Sequence, residues 1–189
     1  MSLQLVLMSG AVAAGKSSVA ALLISDRGFR RVSSGDYLRS KAVERGLGSD
    51  RAALQALGDQ LDLDTDFAWL IDDVAAPMMA LDVAECWLVD AVRKRKQVQH
   101  FRRRFGGLVH IHLSAPEPVL QQRYVDRLIL SGATLEYAKT EYERLVLHPN
   151  EIEARSLLQI ADIVLDTDEM SPEDIATTIG GGIAKGTVS

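Results

Sequence analysis

Apolar residues along the chain alternate between short continuous runs and longer stretches in which they recur every three or four positions. The short runs, at 3–8, 29–33, 86–89, 108–113 and 163–165, have the length and composition of buried strands. The longer stretches between them have the spacing of helices with one buried face. Strands that alternate with helices predict a parallel sheet, because parallel neighbours need a crossover between them. The pattern therefore predicts an α/β protein in three layers, α/β/α, with a five-stranded parallel sheet.

The predicted helices are bounded by residues that favour helix ends. Gly28 is expected to end the first helix, Ser49 to cap the third, and Pro116 and Pro172 to begin later ones. Further helices are predicted at 34–45, 67–81, 92–105 and 116–130, with a polar helical region that breaks at His148-Pro149. Residues 180–182 and the tail are expected to be loosely held.

Length and composition place these elements in one domain. The chain has 189 residues, of which 47% are hydrophobic and 25% charged, so residues 1–189 can bury one full core. The net charge of −5 argues against a surface built for polyanions, and a single cysteine, Cys86, excludes a disulfide framework and a multi-cysteine zinc site. No apolar stretch reaches membrane-spanning length, and the start resembles a strand rather than a signal peptide. We therefore expect a cytoplasmic protein without membrane attachment.

A phosphate-binding loop follows the first predicted strand. Residues 10–17, with the letters GAVAAGKS, fit the pattern of glycine, four residues, glycine, lysine and serine or threonine, between a strand and a helix. A helix start binds anions through its free amides and its positive dipole end, and Gly10 and Gly15 let the backbone curve around a phosphate. Lys16 supplies a cation for the β- and γ-phosphates, and the Ser17 hydroxyl is a candidate Mg²⁺ ligand.

This loop predicts ATP and Mg²⁺ as ligands. The candidate nucleotide-binding residues in it are Gly10, Ala13, Ala14, Gly15, Lys16, Ser17 and Ser18. The alternative is a glycine-containing turn beside a helix that carries one lysine, and the strand and helix on either side favour the phosphate loop over it.

The segment that follows the second predicted strand, SSGDYLR at 33–39, resembles the S-T-G-D-x-L-R stretch of adenylate kinases and related nucleoside monophosphate kinases. In that family the arginine holds the phosphate of the acceptor nucleotide. The resemblance therefore assigns this role to Arg39, with Ser34 and Asp36 shaping the acceptor site. Taken alone, the segment is also compatible with a helix cap followed by a surface arginine.

The strand at 86–89 ends at a carboxylate, Asp90, in the place where a phosphate-loop enzyme holds Mg²⁺ through water. In the resembled family the matching strand ends in Asp-Gly, followed by an arginine that grips phosphate. Asp90 and Arg93 fit those places, although Ala91 replaces the usual glycine. The alternative role for Asp90 is the N-cap of the following helix.

Arginines on the later helices resemble those of the family's lid. Arg123 and Arg127 are four residues apart and so share one helical face. The resemblance assigns the first to the adenine of the donor and the second to phosphate, whose oxygens carry the charge that phosphoryl transfer spreads. Arg144 and Arg155 have the spacing of two later lid arginines, but the residues between them do not match the family. The alternative for all four is a solvated arginine paired with a nearby acid.

The last predicted strand, with the letters ADIVLD at 161–166, resembles the final strand of dephospho-coenzyme A kinases and phage-type deoxynucleotide kinases. Residues 116–127 also resemble dephospho-coenzyme A kinases. The resemblance therefore covers most of the chain, is specific for phosphate-loop nucleotide kinases, and leaves the family member open.

Charged runs and histidines outside these motifs have simpler interpretations. Seven cations lie between 93 and 104, but apolar residues at 98, 101 and 105 form a core stripe, so the cations are expected on a solvated face rather than a nucleic-acid surface. The acids at 59, 62, 64 and 66 are interpreted as caps and solvated groups. The four histidines lack metal-ligand spacing, and His110 and His112 share one side of a strand without a third partner.

Two functions from different classes remain. The first is a kinase that moves the γ-phosphate of ATP to a small nucleotide-like acceptor, with 34–81 as an acceptor-binding cap and about 128–155 as a lid. It needs no general base, because a phosphate acceptor is already anionic. The second is a nucleotide-dependent switch or ATPase, although the Asn-Lys-x-Asp motif of GTPases is absent. Adenylate, cytidylate, deoxynucleotides and dephospho-coenzyme A are all candidate acceptors, and the oligomeric state is open.

Overall fold

The computed structural model of the protein describes residues 4–82 and 84–182. Five strands form one parallel sheet in the order β2-β3-β1-β4-β5. They are β1 (Gln4–Gly10), β2 (Arg30–Val32), β3 (Cys86–Val89), β4 (Val109–Ser114) and β5 (Ile163–Asp166). The predicted five-stranded parallel sheet is therefore confirmed, with each strand within a few residues of its predicted place.

Helices connect the strands and cover both faces of the sheet. The α-helices are α1 (Lys16–Arg27), α2 (Ser34–Glu44), α3 (Arg51–Asp64), α4 (Ala76–Leu81), α5 (Arg95–Arg104), α6 (Glu117–Leu130), α7 (Leu135–Val146), α8 (Pro149–Ser156) and α9 (Pro172–Gly182). A π-helical segment, Leu70–Ala75, leads into α4, and a 3₁₀ turn, Leu157–Ile160, follows α8.

Two hydrophobic cores lie on opposite faces of the sheet. Leu5 and Leu7 of β1 belong to the core that includes Trp87 and Phe101, whereas Val6 and Met8 belong to the core that includes Leu23 and Ile175. Successive side chains of a strand point to opposite faces, so a strand covered on both sides is apolar throughout. This packing produces the predicted α/β/α layers.

Several helix ends differ from the prediction. Asp50, rather than Ser49, caps α3, because its carboxylate accepts the amides of Ala52 and Ala53 at 3.0 Å. The helix predicted at 67–81 begins later, because Phe67 has a φ of 68° and lies in a turn.

Two more differences lie at the start of α5 and in α9. Helix α5 begins at Arg95 rather than 92, because the Gln97 side chain accepts the amides of Arg93 and Lys94 at 3.0 and 3.2 Å and so holds this segment outside the helix. Residues 180–182 were expected to be loose, but they belong to α9. The tail, 183–189, lies outside the described residues.

The sheet order determines where a site can form. β1 lies at the centre between β3 and β4, so the loop after β1 lies between the carboxyl ends of both neighbours. Ligands of open α/β sheets bind at this edge. Within residues 4–82 and 84–182, no helix has the length and apolar character needed to cross a membrane.

Candidate active site

The phosphate loop joins β1 to α1 and has two glycines that the structure requires. Gly10 has a φ of 150°, and a Cβ there would lie 2.4 Å from the Leu113 carbonyl oxygen. Gly15 has a φ of 79° and precedes the first residue of α1. A residue with a side chain would strain the backbone at either position. The two glycines therefore allow the loop to pass β4 and enter α1 as a phosphate loop must.

Lys16 is half-buried at the start of α1, and its ammonium group is directed at the loop. Nζ donates to the carbonyl oxygens of Gly10 at 2.6 Å and Ala11 at 2.7 Å. Burial lowers the pKa of Lys16 to about 8, although the nearby carboxylate of Glu151 opposes that shift. An ammonium group held in this way is close to any anion that enters the loop.

A cavity of about 910 Å³ lies over the phosphate loop. It brings together eleven of the residues that the sequence assigned to the site. These are Gly10, Ala13, Ala14, Gly15, Lys16, Ser17, Ser18, Asp90, Arg93, Arg123 and Arg127. Residues that are far apart in the chain thus line one space that contains the phosphate loop.

Asp90 follows β3 and has a largely buried side chain. Its carboxylate is 9% exposed and accepts from the Arg31 guanidinium at 2.9 and 3.1 Å. Asp90 is not the N-cap of α5, since that helix begins five residues later with Lys94 at its cap. The alternative interpretation of Asp90 is therefore wrong, and the carboxylate remains at the cavity. The sequence did not indicate that Arg31 would pair with Asp90, because Arg31 lies in β2, Asp90 follows β3 and no local motif links them.

Arg123 and Arg127 line the cavity from helix α6. Arg123 donates to the Thr167 hydroxyl and to the Thr167 carbonyl, both at 2.8 Å. The Arg127 guanidinium lies 5.1 Å from the centre of the Tyr124 ring. Thr167, which the sequence analysis missed, comes directly after β5 and also lines the cavity. Arg123 is thus held in place, whereas the Arg127 side chain is exposed.

Arg39 and Asp36 do not line this cavity. They pair with each other on the surface of α2, with side chains 55% and 81% exposed. The pair is three residues apart on one helix, a spacing at which opposite charges meet. Ser34 and Leu38, on another face of the same helix, point to a second cavity instead. A role for Arg39 in acceptor binding stays a prediction, and it requires the side chain to leave Asp36.

The second cavity, of about 220 Å³, adjoins the first. Gln55, Arg93 and Asn150 line both. Most of its other lining residues come from the start of α2, from α3, and from the segment that leads into α5. The cavity over the phosphate loop and the smaller second cavity therefore adjoin, and Arg93 is the arginine that lines both.

Asp62 is a buried carboxylate beside the second cavity, where the sequence predicted a solvated group. It accepts from Trp69 Nε1 at 2.7 Å and from Gln97 Nε2 at 3.1 Å. Burial raises the pKa of Asp62, and these two hydrogen bonds oppose the rise. Asp59 also lines this cavity and accepts from the Asn150 amide at 3.1 Å. The interpretation of Asp62 as a cap or solvated group is therefore wrong, whereas Asp59 is half-buried.

Arg155 and Arg144 differ from each other in their surroundings. Arg144 is exposed and pairs with Glu141 at 2.9 Å. Arg155 donates to Glu151 at 2.9 Å and to Glu117 at 2.6 Å, so its guanidinium is engaged within the protein. Glu151 lines the first cavity and was missed by the sequence analysis.

The basic helix α5 has intramolecular partners for several of its cations. Lys96 pairs with Asp66, and Arg102 pairs with Asp162 at 2.6 Å. Arg95 donates to Gln159 at 3.1 Å. These contacts support the interpretation of a solvated, ion-paired face over a nucleic-acid surface.

His110 and His112 have a third partner, which is a hydroxyl group. Ser9 Oγ lies 2.7 Å from His110 Nε2 and 2.9 Å from His112 Nδ1, and all three residues are buried. In the part of the chain that the structure describes, no group of three histidine, cysteine or acidic side chains could hold a metal alone. Mg²⁺ rarely needs such a cage, because it keeps waters and binds substrate phosphates.

Comparisons with known proteins agree with this geometry. Residues 9–132 match the profile of the AAA domain family. The chain is 28% identical to adenylate kinase isoenzyme 1 of Cyprinus carpio over 152 residues, which are 77% of this chain and 75% of the relative. It is 29% identical to a cytidylate kinase of Natronomonas pharaonis over 186 residues, which are 95% of this chain and 88% of the relative.

The fold also has a counterpart among solved structures. A Thermus thermophilus protein superposes with a TM-score of 0.55 and 19% identity over the full length of both chains. This likeness supports the fold alone.

Proposed function

The chain belongs to the AAA domain family and is a phosphate-loop, nucleotide kinase-like protein, and we propose on that basis that it transfers the γ-phosphate of ATP to a nucleoside monophosphate-like acceptor. The observation that carries the proposal is the meeting of two cavities at Arg93, one over the phosphate loop and one beside it. A switch or ATPase needs one ligand space, whereas a transferase needs two that adjoin. The adenylate and cytidylate kinase relatives support a nucleotide acceptor.

In this proposal the first cavity holds the donor. The amides of the phosphate loop and the ammonium group of Lys16 bind the β- and γ-phosphates, and Lys16 exchanges its loop carbonyls for phosphate oxygens. Ser17 and Asp90 offer oxygen atoms on the same cavity, which suits Mg²⁺ bound mainly by phosphates and water. When bound, the ion neutralises part of the charge on the phosphates.

The second cavity holds the acceptor, with its phosphate directed towards Arg93. The residues 34–81 form the acceptor-binding cap and contribute Ser34 and Leu38 to that space. Arg39 joins them after it leaves Asp36, so the cap rearranges on binding. The carboxylates of Asp59 and Asp62 also line this cavity, and they suit a neutral part of the acceptor better than a phosphate.

Catalysis then rests on positioning and charge. Arg123 and Arg127 lie over the donor site, and closure of residues 128–155 as a lid would exclude water from the transferring group. An acceptor phosphate is already anionic near neutral pH, so no side chain has to remove a proton. The arginines compensate the charge that spreads over the transferred oxygens.

A panel assay tests the proposal. ATP consumption and acceptor phosphorylation are measured with adenylate, cytidylate, deoxynucleoside monophosphates and dephospho-coenzyme A. A nucleoside monophosphate is expected to be phosphorylated, with little ATP hydrolysis in its absence. Transfer to dephospho-coenzyme A alone would favour the second resemblance, and hydrolysis without any transfer would favour a nucleotide-dependent switch. Either result would contradict the proposed acceptor class.

A further inference from the structure

Glu151 reaches the phosphate loop from helix α8, 139 positions further along the chain. Its carboxylate accepts the Val12 amide at 2.9 Å and Arg155 Nε at 2.9 Å, and its side chain is 11% exposed. The same side chain lines the cavity over the loop. A largely buried carboxylate has to be hydrogen-bonded, and here one partner is the loop backbone.

The Glu151 carboxylate is held in one orientation by a network from three helices. Arg155 on α8 donates to Glu117 on α6 at 2.6 Å and to the Tyr142 hydroxyl on α7 at 3.3 Å. Tyr142 in turn donates to Glu117 at 2.7 Å. Because each member has a fixed partner, the network gives the Glu151 carboxylate a defined position against Val12.

The loop has a strained residue at the point that Glu151 contacts. Ala13, next to Val12, has a φ of 61°, in the left-handed region that residues with a Cβ rarely adopt. Such a conformation persists only where neighbouring contacts hold it. Two hydrogen bonds flank Ala13: Val12 donates to Glu151, and the Ala14 amide donates to the Ala11 carbonyl at 3.3 Å.

We propose that Glu151 is a positioning residue that holds the turn at Val12 and Ala13 in its nucleotide-binding shape. The inference rests on the proposed function, because it takes ATP as the ligand of the loop. Glu151 acts through the backbone of Val12. Its removal should therefore weaken nucleotide binding.

Equilibrium titration with ATP in the presence of Mg²⁺ tests this. Glu151→Ala is expected to weaken ATP binding about three- to tenfold, which is the range of one net hydrogen bond. Glu151→Gln keeps an acceptor oxygen and is expected to bind ATP within about twofold of the unmodified chain. Glu143→Ala removes an exposed carboxylate from the neighbouring helix α7 and is the matched control, with no change expected.

Ala13→Gly makes the test specific for the strained turn. Glycine adopts the left-handed conformation without strain, so Glu151→Ala should cost less affinity in the Ala13→Gly background. Thermal unfolding of every variant separates loss of loop geometry from loss of the fold. If Glu151→Ala does not fold, Glu151→Asp replaces it, because its shorter side chain withdraws the carboxylate and should also weaken binding.

Three results would overturn the inference. The first is that Glu151→Ala binds ATP as tightly as the unmodified chain. The second is that Glu151→Gln binds ATP as weakly as Glu151→Ala. The third is that Glu151→Ala loses the same ATP affinity with alanine as with glycine at residue 13. A different result contradicts the proposed function. If the unmodified chain does not bind ATP, both the proposed function and this inference are wrong. If the unmodified chain binds ATP and the Glu151 variants bind it equally well, only this inference is wrong.

Discussion

Arg93 lies where the two cavities meet, close to Asp90 at the end of β3. A guanidinium group at this junction can contact the transferring phosphate and the acceptor phosphate together. Arg93→Ala is therefore expected to lower kcat/KM for the acceptor about a hundredfold or more, with a small effect on ATP affinity. Steady-state kinetics measure this, with Arg103→Ala, an exposed arginine of α5, as the matched control. Equal losses in the two variants would contradict the role of Arg93.

A buried cluster of Ser9, His110 and His112 lies at the base of the phosphate loop. His110 Nδ1 lies 3.3 Å from the Ile160 carbonyl, which implies that His110 Nε2 accepts from Ser9 and that Ser9 Oγ accepts from His112. Burial lowers the pKa of both histidines, that of His112 to about 4. The cluster is thus built for neutral imidazoles.

This cluster predicts that the folded state weakens in mild acid. The His112 pKa is lowered from 6.5 to about 4 on folding, so the unfolded chain binds more protons between these values. The contribution to stability is full above pH 6.5 and is lost as the pH falls towards 4. The free energy of unfolding, measured with urea, should fall less between pH 7.5 and pH 4.5 in His112→Gln than in His100→Gln. An equal difference in both variants would contradict the assignment.

The residues that the sequence could place are those whose motifs are local. The phosphate loop, Asp90 with Arg93, and Arg123 with Arg127 each lie within a short segment next to a predicted strand or helix end. Glu151 could not be assigned, because its partner in the loop is 139 positions away and no spacing encodes that contact. Asp62 was misplaced for the same reason, since its partners Trp69 and Gln97 come from other elements.

At the scale of elements, strands were easier to predict than helix ends. A buried strand shows itself as a continuous apolar run, whereas a helix start depends on which side chain reaches the first free amides. The π-helical segment Leu70–Ala75 has the apolar spacing of an ordinary helix, so sequence periodicity could not distinguish it. Phe67 lies in a turn with a positive φ although its type favours no such conformation.

Helix α3 offers a direct test of how its start is stabilised. The Asp50 carboxylate accepts the amides of Ala52 and Ala53, so Asp50→Ala is expected to lower the free energy of unfolding by about 1 kcal/mol. Ser49→Ala, one residue earlier, should change it by less than about 0.5 kcal/mol. Chemical denaturation of both variants measures the difference. A larger loss for Ser49→Ala would restore the cap predicted from the sequence.

For the whole molecule, the proposal requires movement of two helical regions about a fixed sheet. Arg39 pairs with Asp36 outside both cavities, so an acceptor must rearrange residues 34–81 before Arg39 can contact it. Lys16 bonds to loop carbonyls, so ATP must rearrange the phosphate loop as well. Hydrogen exchange is expected to slow in residues 34–81 and 128–155 when a non-hydrolysable ATP analogue and the acceptor are bound together. Either ligand alone should protect fewer amides. Uniform protection by the ATP analogue alone would contradict two-site closure.

The central claim is transfer between two ligands, and acceptor-dependent ADP formation tests it most directly. With ATP, Mg²⁺ and a nucleoside monophosphate, the unmodified chain is expected to form ADP and phosphorylated acceptor in equal amounts. Lys16→Ala is expected to form them at least about a hundredfold more slowly. ADP formation that does not depend on any acceptor, or turnover that is unaltered in Lys16→Ala, would contradict the account.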